Sequence, residues 1–131
     1  MVVNANYNIN RIEGALWQAM KTANICPVVE PGRRPTSGTN TNAFIVVRSA
    51  TEVIDKTAFG KNIGVINIYT KSLGTTGVKD SASAIAIADK ITAILPIVTS
   101  KYTFTYLSNI SLGLDNTGYD VEAYNLNVLI K

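Results

Sequence analysis

The chain has 131 residues, 47% of them hydrophobic and 16% charged, with 12 basic against 9 acidic side chains and a formal net charge of +3. That length suits one domain with a real core, and the few charges and many aliphatic residues exclude an intrinsically disordered chain. With no histidine and a lone cysteine, Cys26, an internal disulfide and the usual zinc-ligand sets are excluded, and the scattered basic excess does not mark a nucleic-acid binder.

The opening "MVVNANYNIN" lacks the basic start and continuous apolar core of a signal peptide, and no apolar run approaches the roughly 18 residues of a membrane span. The expectation is a chain made and used in a cytoplasm, without membrane contact. From Asn8 to Ile25, the residues Ile9, Ile12, Leu16, Ala19 and Ala23 recur at three- and four-residue spacing, which predicts a helix with one stripe facing inward. Asn8 or Asn10 supplies its cap. Trp17 and Met20 widen the apolar face; core packing accounts for them, and a neighbouring subunit is the other surface they could meet. Cys26 reads as a small buried hydrophobe.

Pro27 and Pro31 end this helix and lead into "EPGRRPTSGTNTNA", Glu30 to Ala43. Gly32, Pro35 and Gly38 discourage regular structure there, which predicts an extended flexible loop at about 30–43. Loops of that length in small domains are usually functional or disordered. "NAFIVVRSA" follows as a strand whose apolar run, Ala43 to Val47, suits cover on both faces. "TEVIDKTAFGKN" reads as a turn region with a short edge strand, and "IGVINIYTK", Ile63 to Lys71, pairs antiparallel with the strand before it.

"SLGTTGVKD" is a polar link. A second helix runs from Ser81 to Leu95, capped by Asp80 or Ser81 and closed by Pro96. Ala84, Ile87, Ala88, Ile91 and Leu95 form its face for the sheet, yet Ala82, Ile85, Ala86 and Ala93 leave little polar circumference. A helix apolar on most sides is buried on most sides, so Ile85 and Ala86 are expected at a subunit interface. In "KYTFTYLSNISLG" the residues Tyr102, Phe104, Tyr106, Ile110 and Leu112 share one parity, as in a half-buried strand. "DNTG" turns the chain back into "YDVEAYNLNVLIK". The resulting fold class is α+β: an antiparallel sheet packed by two helices, in the order helix, strand pair, helix, strand pair, forming a single domain over 1–131.

No catalytic constellation is legible: there is no nucleophile with a base, no metal set, and Asp120 with Glu122 reads as a solvated strand end. No cofactor is expected. "GTTG" at Gly74 to Gly77 lacks the Gly-Lys-Ser or Gly-Lys-Thr of a phosphate loop and reads as a linker. "KYTFTY" interleaves aromatics that could stack bases, although its parity is that of a core face. Arg33 and Arg34 are the candidates for partner contact, since paired arginines bind acidic groups bidentately.

The helix "INRIEGALWQAMKTA", the proline- and arginine-bearing segment, "AFIVVRS", the polar hairpin into "GVINIYTKS", the central helix and the closing β-hairpin together resemble the tail terminator or tail completion proteins of long-tailed bacteriophages. The likeness spans nearly the whole chain as size, element order and texture. The resemblance implies a structural virion protein and no enzyme: a homo-hexameric ring that caps the tail tube, ends its polymerisation and joins it to the head-side connector or neck protein. It also implies the tail tube protein as a partner, proximity to DNA in the channel, and a place at the tail–neck junction after assembly in the bacterial cytoplasm. The competing class is a small oligomeric nucleic-acid-binding module using the basic loop and aromatic strand. An enzyme would need an active site built across subunits.

Overall fold

The computed structural model describes residues 3–27, 29–33, 42–74 and 77–131. After a short turn at Ala5–Tyr7, helix α1 spans Ile9–Thr22, and the Asn8 side chain caps it by accepting from the Asn10 N–H at 2.9 Å. Ile12, Leu16 and Met20, spaced four apart, are its buried stripe. Asn24, at φ 53°, ends it, in the left-handed conformation that asparagine tolerates.

The strands are β1 (Val29–Pro31), β2 (Ala43–Ser49), β3 (Ile54–Asp55), β4 (Gly60–Lys71), β5 (Ile97–Val98), β6 (Tyr102–Leu114) and β7 (Tyr119–Ile130), with helix α2 (Ser81–Ile94) between β4 and β5. The Asp80 carboxylate caps α2 by accepting from the Ser83 N–H at 3.2 Å and the Ser83 hydroxyl at 2.7 Å. The strands form one sheet in the order β1-β2-β4-β7-β6-β5, with β3 pairing β4 off that path.

This corrects the expected α+β architecture of an antiparallel sheet with strand pairs alternating with helices. The domain is mostly β, and the sheet is mixed, because β1 runs parallel to β2. The three elements that sequence reading missed or blurred are too short to carry a periodicity. β1 consists of Val29, Glu30 and Pro31, and its proline reads as a helix breaker and loop former in sequence. In the fold Pro31 sits on an edge strand, where a missing N–H is tolerated. The indole N–H of Trp17 donates to the Val29 carbonyl at 2.9 Å and ties this strand to α1. Glu30 and Pro31, expected at the start of the loop at about 30–43, thus belong to β1, and residues 34–41 of that segment lie outside the described residues.

Both helices pack on one face of the sheet. Ile12, Leu16 and Met20 from α1 and Ile87 and Ile91 from α2 share a core with Ile45, Val47, Ile66, Ile68, Leu126, Val128 and Phe104. Gly64 makes this approach possible: a Cβ there would stand 3.4 Å from Val128 Cγ2 and 3.5 Å from Leu16 Cδ2. On the far face Phe44 stacks on Tyr69 with ring centres 4.5 Å apart and meets Tyr119 edge-on at 5.3 Å. The central strands are thus buried on both sides, as their near-continuous apolar runs require.

Candidate subunit interface

The outer strand of the closing hairpin shapes the candidate site. β6 and β7 have 13 and 12 residues, which at about 3.3 Å per residue extend about 40 Å. β4 backs β7 along its whole length, from Gly60 opposite Ile130 to Lys71 opposite Tyr119, so within the hairpin it is β6 that stands at the open side of the sheet.

The exposed part of β6 is unusually apolar. Tyr106 is 53% exposed, Ile110 50%, Leu112 53% and Leu114 62%. Its outer edge is also open, since β5 pairs only with Thr103 and Phe104. From residue 105 to 114, among the described residues, β6 has a neighbour on one side alone. Soluble proteins normally charge, shorten or cover such an edge.

The sequence reading put Tyr106, Ile110 and Leu112 on the core face with Tyr102 and Phe104. Only Tyr102 and Phe104 are buried there. Two register shifts, between Tyr106 and Ser108 and between Ser111 and Gly113, account for the difference. Each bulge adds a residue and resets the alternation, so Tyr106 lies opposite Leu126 on the helix side, whereas Ile110 lies opposite Ala123 on the far side. Gly113, at φ 81°, occupies the left-handed conformation beside the second bulge. The clue available in sequence was "SNISLG", a stretch poor in strand formers inside an otherwise regular alternation.

α2 borders the same hairpin across a cleft with β7. Its buried stripe is Ala84, Ile87, Ala88 and Ile91, while Ile85 is 58% exposed and Ala86 and Ala82 are exposed with it. Ile85 borders a cleft of about 330 Å³ between α2 and β7, lined also by Ala88, Asp89, Glu122 and Tyr124, with Lys79 at its rim. Tyr106 meets Tyr124 edge-on at 6.2 Å. Burial pushes the Tyr124 phenol above its ordinary pKa, and the neighbouring Glu122, Tyr106 and Asp89 push it further.

The other singled-out residues lie elsewhere. Arg33 is exposed just after β1, its N–H donating to the Pro31 carbonyl at 2.9 Å; Arg34 lies outside the described residues. Trp17 is half-buried, with Lys21 Nζ 5.6 Å from its ring centre, and Met20 has no exposure within the chain. Met20 thus has no surface left for a neighbour, and the fold does not join the α1 pair to Ile85 and Ala86. In "KYTFTY", Tyr102 and Phe104 are committed to the core, leaving Tyr106 as the exposed ring. Asp120 accepts from the Ser72 hydroxyl at 3.3 Å and Glu122 from the Asn109 amide at 3.0 Å. Cys26 is buried. Among the described residues, no three His, Cys, Asp or Glu side chains are placed to hold a metal, and no helix is long and apolar enough to cross a membrane.

No family model matches the chain, and no curated protein matches it. A chain in the solved structure of the virion of a native gene transfer agent particle shares its fold, with a TM-score of 0.63 over 91% of this chain and 93% of that one, at 12% identity.

Proposed function

We propose that this chain is a structural virion protein of the tail terminator or tail completion kind. In this reading it assembles into a homo-hexameric ring that caps the tail tube, ends its polymerisation and joins it to the head-side connector or neck protein. The observation that carries the reading is the likeness, along nearly the full length of both chains, to a component of a virion particle. The open, apolar outer strand β6 and the exposed Ile85 support it, because a chain with this much exposed apolar surface gains stability by covering it in an assembly. Arg33 and Arg34 reach the adjoining ring or the channel, near the DNA, and the chain acts by holding partners in place rather than by catalysis. The ring takes its place at the tail–neck junction after assembly in the host cytoplasm. Immunogold labelling of particles purified from the source tests this: label at the head–tail junction is expected, and label confined to the distal tail or absent from particles contradicts it.

A further inference from the structure

A second cleft, on the opposite face of the sheet, complements the one beside Ile85. Its volume is about 380 Å³, and Lys56, Phe59, Lys61 and Leu129 form its charged and apolar lining, with Thr105 and Asn127 on the strand wall and no acidic residue. Phe59 is 38% and Leu129 41% exposed, so its floor is apolar and open. Lys61 and Leu129 are direct partners across β4 and β7. They share the parity of Val65 and Ala123, which faces away from the helices, whereas Ile85 stands on the helix side. The turn that presents Lys56 and Phe59 is fixed by the Lys56 N–H donating to the Phe59 carbonyl at 2.8 Å and the Thr57 N–H donating to Asp55 at 2.8 Å.

The two places match in chemistry. The first has an exposed apolar side chain, Ile85, with Asp89 one helical turn further on and Glu122 across the cleft, two acidic groups against the one lysine, Lys79, in the same lining. The second has an apolar floor between two lysines. We infer that Ile85 of one subunit seats against Phe59 and Leu129 of a second copy of this chain, with Asp89 and Glu122 facing Lys56 and Lys61. The contact joins two different patches on opposite faces, so it is head-to-tail, and repetition closes it into a ring or extends it into a filament. This deepens the ring of the proposed function by naming the surfaces that meet. Charge complementarity selects the partner and the register, and the apolar centre supplies the non-directional attraction.

A charge swap tests it. One variant carries Asp89→Lys and Glu122→Lys, and another carries Lys56→Glu and Lys61→Glu; both are studied as full chains by sedimentation velocity, with circular dichroism melts to verify folding. Wild-type chains should associate, and each variant alone should associate about ten- to a hundredfold more weakly. Mixing the two should restore assembly, because native front meets native back at one junction and reversed front meets reversed back at the next. If a reversal unfolds the chain, the neutral pairs Asp89→Asn with Glu122→Gln and Lys56→Gln with Lys61→Gln take its place and should each weaken association. A wild-type chain that stays monomeric at its highest soluble concentration, variants that assemble normally, or mixtures that fail to recover each overturn the inference. Presence of the wild-type chain in purified particles is scored separately: rescue by mixing without presence in particles refutes the virion role, and presence without rescue refutes the interface.

Discussion

Ile91 and Ile85 lie less than two turns apart on α2 and should respond very unequally to the same substitution. Ile91 has no exposure and packs in the core that joins both helices to the sheet, whereas Ile85 is 58% exposed. Ile91→Ala deletes three carbons at about 0.8 kcal/mol each, about 2.4 kcal/mol of lost burial. Incomplete collapse of the cavity brings the cost to about 3–4 kcal/mol. For a domain of this size a loss of about 1 kcal/mol lowers Tm by roughly 3–5 °C, so a fall of about 10–15 °C is expected. Ile85→Ala removes the same atoms from a site already mostly in water and should cost the monomer about 1 kcal/mol or less. Scanning calorimetry at a concentration where sedimentation shows only monomer measures both. Equal losses at the two positions would refute the assignment of Ile85 to an outward face, and a small loss at Ile91 would refute the docking of α2 on the sheet.

The Tyr102 hydroxyl donates to the Asn6 carbonyl at 2.8 Å, tying the N-terminal turn to β6, so Tyr102→Phe should cost about 1 kcal/mol at neutral pH. Burial raises the pKa of this phenol, partly offset by Arg11. Its stabilising contribution is therefore complete below the unfolded value of about 10 and lost as pH rises through the higher folded value; the gap between wild type and variant in urea titrations should narrow above about pH 10. Asn67 is 7% exposed on β4 and its Oδ1 accepts no hydrogen bond. Asn67→Val should therefore raise stability by about 1 kcal/mol by removing a desolvated, unsatisfied carbonyl from a strand; a loss of that size in chemical denaturation would contradict this. Replacing Arg33 and Arg34 together with alanine should leave the melting temperature unchanged and weaken co-sedimentation with tails, and undiminished attachment removes those arginines from the partner surface.

Local signals in the sequence were legible where one element settles its own structure. Asn8 and Asp80 cap their helices by hydrogen bonds within two or three residues, and the stripe of Ile12, Leu16 and Met20 needs only the helical period. The long strands β2, β4 and β7 declare themselves by composition. What was illegible depends on partners distant in sequence. β1, β3 and β5 have two or three residues each and exist because β2, β4 and β6 offer edges to them. The bulges in β6 broke a regular alternation; counting parity through the bulge at Leu107 put Ile110 on the core face, opposite to its real side. In the candidate site, Ile85 could be picked out because α2 carries more apolar residues than one buried stripe uses. Phe59 and the lysines of the far-face cleft could not, since a turn and the end of a strand pair bring them together.

The most direct test of the account is native mass spectrometry of the full chain over a concentration series, with and without purified tail tubes, supported by negative-stain images of any large species. The account predicts a closed homo-oligomeric ring, formed alone at high concentration or on the tube ends at low concentration. A chain that stays a single subunit under both conditions and leaves the tube ends bare would contradict it.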